Sequence, residues 1–331
     1  PQFSKTNCSM AKMATSLDWD RCLVNANLPL LGTQMISSIL QYLKTNKYLP
    51  SDYDENVNVY FGHSIIFHFF LPEKRSLAVK VANNGSTNAN SLKAEAAALS
   101  ENFALYGGII PQLIRFDSDK DFSFLIMEGI AIARINLADI FSLSGNQANI
   151  MQRLLSGEDR INSHENKTPI INLMSAIETL PDELSCHYKR IMVERKWQEY
   201  IQDLPSISQH GDLGLTNIGK TPDGIIVFDW EDYGIINVPG FDLFTLLISG
   251  CHFKLDRLKN IINDIYQKNE TQPHFLAPVV TQLNIDQQYF IDLIMINLIL
   301  FHDLKCKLSY SDDVINDCRN LLEELNSHSF S

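Results

Sequence analysis

The chain has 331 residues, 45% of them hydrophobic and 20% charged, an ordinary balance for a globular protein and enough length for two lobes. Its 27 basic and 39 acidic side chains leave a net charge of −12. That balance argues against nucleic acid as a partner, since such binding rests on Lys and Arg neutralising phosphates. Six scattered cysteines (Cys8, Cys22, Cys186, Cys251, Cys306, Cys318) without a CxxC spacing argue against a zinc site or a disulfide framework.

The first dozen residues hold no apolar signal-peptide core, so a cytoplasmic protein is expected. Residues 1–55 read as a mixed, helical extension in which Met35, Ile36, Ile39, Leu40 and Leu43 recur at a helical period. Val57 to Phe70 then alternates, with Gly62-His63-Ser64 between Val57, Val59, Phe61 and Ile65, Phe67, Phe69, which predicts two strands and a turn. Leu77 to Val81 is a third strand, followed by a polar loop, Asn83 to Asn90. A helix is expected from about Ser91 to Leu105, with Leu92, Ala96, Leu99 and Phe103 on one face and Gly107-Gly108 as its stop. Ile109 to Phe116 and Phe122 to Met127 are two more strands around the turn residues Asp117 to Asp121.

Beyond Gly129 the pattern is mostly helical. Ser142 to Pro169 is polar and reads as a long loop or broken helices. The run Phe290 to Phe301 contains Asp292 and Asn297 and is too short to span a bilayer; it predicts a buried helix and no membrane partner. The last eighty residues carry no recognisable chemistry. The expected organisation is an N-terminal lobe over 1–129, with a five-stranded sheet and one helix in 57–127, and a C-terminal helical lobe over 130–331.

Two motifs in the second half carry chemistry. His210-Gly211-Asp212-Leu213-Gly214-Leu215-Thr216-Asn217 reads as a tight loop with an Asp and an Asn five positions apart. The apolar run Ile225-Ile226-Val227-Phe228 then ends in Asp229-Trp230-Glu231. Phosphoryl transfer needs a carboxylate to orient the attacking hydroxyl and oxygen ligands to hold Mg²⁺ against phosphates. Asp212 suits the first task; Asn217 and Asp229 suit the second.

In its His-x-Asp-x-x-x-x-Asn loop followed by a strand ending in Asp, the chain resembles the kinase-like superfamily. The form HGDLGLTN looks like the aminoglycoside phosphotransferases, and Asp-Trp-Glu looks like the choline kinase side of the group. Protein kinases usually carry Arg after the His and Lys two residues after the Asp, where this chain has Gly211 and Gly214. The resemblance covers roughly residues 57–245 and implies an α+β, two-lobed protein-kinase-like fold: a small, mostly antiparallel β lobe with one helix, and a larger helical lobe.

It also implies an enzyme that transfers phosphate from ATP (or GTP), with Mg²⁺, to a hydroxyl of a small molecule such as a sugar, amino alcohol or aminoglycoside. An atypical protein kinase and a non-catalytic nucleotide-binding scaffold of the same fold are the alternatives. Asp229 and Asp242 are separated by only twelve residues, with no Ala-Pro-Glu, which leaves little room for an activation loop.

By the same resemblance Lys80 pairs the nucleotide's phosphates and is held by Glu95. The periodicity agrees: positions 92, 95, 99 and 103 put Glu95 on the apolar face, where a carboxylate needs a partner. Ser64, with backbone N–H groups of its turn, is expected at the β-phosphate, and the main chain of Glu128 and Ile130 at the base. His210 braces the catalytic loop, and Asp242 ties it down by accepting backbone N–H bonds. Glu231 and Asp232 belong to an outer metal shell, a contact with a cationic substrate, or a solvated turn.

Overall fold

The structure is a computed structural model that describes residues 30–51, 53, 57–61, 64–70, 76–157, 159, 173–202, 204, 206–266, 274–285, 287–308 and 312–327. Helix α1 (Leu30–Thr45) precedes three strands, β1 (Val57–Phe61), β2 (Ile65–Phe69) and β3 (Ser76–Asn83). Helix α2 (Thr87–Tyr106) follows, then β4 (Leu113–Ser118) and β5 (Phe122–Gly129). The five strands form one antiparallel sheet in the order β1-β2-β3-β5-β4. This is the small lobe that the strand pattern predicts.

Successive side chains of a strand point to opposite faces, and in this sheet both faces are covered. Phe67, Phe69, Leu77, Val79, Val81, Phe124 and Ile126 pack beneath Ile39, Leu40 and Leu43 of α1 and beneath Leu49 and Tyr53. The N-terminal segment from Ile39 to Tyr53 therefore contributes to the lobe's core. A fully buried side chain such as Phe67 stabilises by about 1.5–3 kcal/mol. The opposite face offers Ala82, Leu125 and Met127 to Leu92, Ala96 and Leu99 of α2. Lys80, one step out of phase with Val79 and Val81, lies on this second face.

Three local expectations need correction. Helix α2 starts at Thr87 because Ser86 caps it, its side chain accepting from the Ala89 N–H, so the polar loop is shorter than its composition suggests. Its buried stripe runs through Leu92, Glu95, Leu99, Asn102 and Tyr106, whereas Phe103 is exposed. Strand β4 begins at Leu113, not Ile109. Ile109 and Ile110 are buried in the turn before it, and the Ile109 carbonyl accepts from the Val227 N–H at 2.6 Å, joining the two lobes.

Past Gly129 the chain makes a bridge from Ala133 to Lys220 and becomes helical: α3 (Leu137–Phe141), α4 (Gly145–Ser156), α5 (Leu173–Ile177), α6 (Asp182–Glu194) and α7 (Trp197–Gln202). The polar stretch after Ser142 thus contains a helix, α4; residues 160–172 lie outside the described residues. A hairpin of β6 (Ile218–Thr221) and β7 (Gly224–Val227) carries the second motif at its end. Then come α8 (Phe241–Gly250), α9 (Leu255–Tyr266), α10 (Ala277–Gln282), α11 (Gln287–Lys307) and α12 (Asp312–Ser327).

The apolar run of residues 290–301 lies inside α11, which packs against α5, α8 and α12. Of its two polar members, Asp292 pairs with Arg195, and the Asn297 amide donates back to the Leu293 carbonyl at 2.7 Å. Among the described residues no helix is long and apolar enough to cross a membrane.

Candidate active site

Lys80 is the meeting point of the two lobes. Its ammonium lies 2.9 and 2.7 Å from the two carboxylate oxygens of Glu95 on α2, and 2.7 Å from Asp229 Oδ1 at the end of β7. Lys80 and Glu95 are buried, and the Asp229 side chain is partly exposed. The pair expected between strand and helix is formed, with Asp229 as a further member. Burial works against the charge of Lys80, but Glu95 and Asp229 outweigh it and hold the lysine above its ordinary value.

One ammonium serves two carboxylates, and they divide unequally. Burial raises the Glu95 carboxyl above its usual range despite the pull of Lys80. Burial would raise Asp229 too, but the Lys80 charge and hydrogen bond hold it below the usual range. Asp229 has φ 68, a left-handed backbone seldom adopted by a non-glycine residue and one that turns its carboxylate off the strand line.

The His210–Asn217 loop is anchored from below. Asp242, in the first turn of α8, accepts from the His210 N–H at 2.8 Å and the Gly211 N–H at 3.1 Å. His210 is fully buried; its Nε2 lies 3.1 Å from the Phe228 carbonyl oxygen, and its Nδ1 accepts from the Asp212 N–H at 3.3 Å. Those two contacts fit a neutral ring protonated on Nε2, and burial lowers the His210 pKa in the same sense. Gly211 has φ +89, and a Cβ there would strike the Asp232 carbonyl oxygen, so only glycine fits between the loop and the segment after β7.

Asp212 is held at both oxygens. Asn217 Nδ2 donates to the Asp212 carbonyl at 2.7 Å and to Asp212 Oδ2 at 3.2 Å, which leaves Asn217 Oδ1 turned away from that contact. Oδ1 of Asp212 lies 2.8 Å from the ammonium of Lys305, on α11. Lys305 also lies 3.8 Å from Asp232 Oδ2. The last helices, silent in the sequence reading, thus deliver a charge to the loop. Asp232 is buried beside that lysine and is no solvated turn residue.

Other candidates stand as follows. Glu231 is pushed up to about 7, by burial first and then by the charge of Asp229. Ser64 is half-buried in the turn between β1 and β2, next to Gly62 and His63, which lie outside the described residues. Glu128 and Ile130 flank Gly129 at the end of β5; the Glu128 N–H donates to the Gln112 carbonyl at 2.9 Å. A Cβ on Gly129 would come within 2.7 Å of His68 Nε2, so the hinge passes close under β2. Glu101, outside the buried stripe, bonds the Tyr233 hydroxyl at 3.0 Å. Among the described residues no cluster of three or more His, Cys, Asp or Glu has the arrangement of a metal cage.

No family model and no curated protein matches the chain. Among solved structures it is similar to an aminoglycoside phosphotransferase from Streptomyces rimosus in complex with ADP and streptomycin. That likeness has 15% identity, 88% of this chain and 98% of that one, and a TM-score of 0.46. It is also similar to a putative fructosamine-3-kinase from Haemophilus somnus (13% identity, 87% and 96% covered, TM-score 0.41). A third is an aminoglycoside phosphotransferase in complex with gentamicin (14% identity, 90% and 97% covered, TM-score 0.48).

Proposed function

We propose that this protein is a small-molecule kinase, moving a phosphoryl group from ATP (or GTP), with Mg²⁺, to a hydroxyl of a small acceptor such as a sugar, an amino alcohol or an aminoglycoside. The observation that carries this reading is the reach of Lys80 to Glu95 and Asp229 together. It joins a cation suited to phosphate, the acid that fixes it and a carboxylate suited to Mg²⁺, and Asp229 lies at the end of the same hairpin that follows Asp212 and Asn217.

Lys80, fixed by Glu95, holds the nucleotide's phosphates, which compete with Asp229 for its ammonium. Asp229 and the Oδ1 of Asn217 are the ligands for Mg²⁺, a hard cation that prefers such oxygens and keeps water and phosphate in its remaining positions. When bound, the metal neutralises phosphate charge. Asp212 orients the acceptor hydroxyl and takes its proton late, since the transferring phosphoryl group carries most of its charge on its own oxygens. Glu128 and Ile130 receive the base through their main chain, and Ser64 with its turn covers the β-phosphate. His210 and Asp242 hold the loop so that Asp212 is presented in one orientation. The gain comes from alignment and fixed charges.

The test is transfer of labelled γ-phosphate from ATP and from GTP, with and without Mg²⁺, to a panel of hydroxyl compounds and to intact protein substrates. Label in a small hydroxyl compound, dependent on the metal, is the expected result. Label in protein alone would favour a protein kinase. Failure to bind either nucleotide would end the reading.

A further inference from the structure

A buried lysine is expensive unless it is paired, and replacing a buried ion pair by apolar residues is often neutral or stabilising. Lys305 is 1% exposed, on a helix whose neighbouring turns bury Ile294, Leu298 and Phe301. Packing alone would be served there by Leu or Met. Instead the side chain runs past the Phe301 ring, 5.1 Å from ammonium to centroid, and ends 2.8 Å from Asp212 Oδ1.

The position matters more than the charge. The Asp212 side chain is 19% exposed, so it opens toward solvent while Lys305 lies behind it. The torsion that turns a carboxylate about its Cβ–Cγ bond is broad and poorly fixed by sterics. Here each oxygen has its own holder, Oδ2 from Asn217 and Oδ1 from Lys305. Lys305 also reaches toward Asp232, whose carbonyl sits against Gly211, so it draws together the catalytic loop and the segment after β7.

We infer that Lys305 is the positioning residue for Asp212: a cation supplied by α11 that fixes the carboxylate plane and keeps that anion in place beside the negatively charged phosphoryl group. The inference rests on the phosphotransferase reading above. Lys305 acts through Asp212 and not on the nucleotide, so its loss falls on the chemical step and leaves nucleotide binding alone.

The experiment follows steady-state release of labelled γ-phosphate from Mg·ATP, with water as acceptor, in wild type, Lys305→Met, Asp212→Asn and the double variant, with a thermal melt of each. Lys305→Met keeps the length of the side chain and removes the charge. The expected result is a loss of about 10²-fold in kcat, the effect of a misplaced reacting group, with the KM for Mg·ATP unchanged. In the Asp212→Asn background the same substitution is expected to add no further loss. Should Lys305→Met not fold, Lys305→Gln, which also removes the charge but keeps a polar end, carries the same split and the same cycle. An unchanged kcat, a loss confined to KM, or an equal loss in the Asp212→Asn background would overturn the inference. If wild type itself releases no phosphate and passes none to any acceptor, the phosphotransferase reading fails first.

Discussion

Two buried lysines, one in each lobe, end on carboxylates of the candidate site, and they differ in how the chain brings them there. Lys80 meets Glu95 across fifteen residues of sequence, strand to following helix. Lys305 meets Asp212 across nearly a hundred, from a helix that shares no local motif with the loop. In the first case the partner can be found from periodicity, because a strand's alternation and a helix's stripe each fix a side. In the second, only the packing of α11 against α5 and α8 decides what the lysine touches. The Lys80–Glu95 pair is local in sequence, and the Lys305–Asp212 pair is assembled by tertiary contact.

The strongest way to sharpen that contrast is to remove each cation. Lys80→Ala leaves Glu95 buried without its counter-charge, and breaking such a pair typically costs about 3–5 kcal/mol, measurable by urea unfolding. Turnover in the folded fraction is expected to fall by about 10²–10³-fold, as when a fixed electrostatic donor is lost. Glu95→Gln should do less, because Lys80 keeps Asp229 and can still reach phosphate. Equal losses in the two variants would show that Glu95 does more than hold the lysine.

A smaller effect is expected from Asp229→Ala. It should weaken nucleotide binding in Mg²⁺ and leave binding without the metal little changed, as read by titration of ATP under both conditions. If wild type binds ATP equally well with and without Mg²⁺, and the variant matches it, Asp229 holds no metal.

Legibility followed the same division. The HGDLGLTN loop, the strand ending in Asp229 and the Lys80–Glu95 geometry were readable because each depends on neighbours within about one element. Asp242 was readable through the resemblance, and its two backbone contacts are formed. Boundaries were less so: a single serine cap moved the start of α2, and Phe103 left the buried stripe in favour of Asn102 and Tyr106. Lys305 did carry a signal. Ile294, Leu298, Phe301 and Lys305 follow the four-three-four spacing of one helix face, as Glu95 does on α2, and a charge on a buried stripe requires a partner. What the spacing could not supply was the partner's identity. Asp232 escaped for the same reason, since its ion-pair partner Lys305 comes from the distant α11.

The smallest expected effect probes the packing that carries Lys305. His302, on the same helix, is fully buried between Thr179, in the turn after α5, and Arg319 of α12. Burial, followed by the Arg319 charge, lowers its pKa to about 4. The unfolded chain binds that proton near pH 6.5. His302 therefore contributes stability that is complete above about pH 6.5 and is lost as pH falls toward 4. Melting temperature should drop across that window, and His302→Gln should flatten the drop. A slope unchanged in the variant would assign the acid sensitivity to other groups.

The most direct test of the central claim compares wild type with Asp212→Asn for two quantities in one preparation: Mg·ATP affinity and the rate of ADP formation. The expected result is unchanged affinity with turnover reduced by about 10²–10⁴-fold, the range for a positioned base. Comparable turnover in the two proteins would contradict the claim that Asp212 orients the acceptor for phosphoryl transfer.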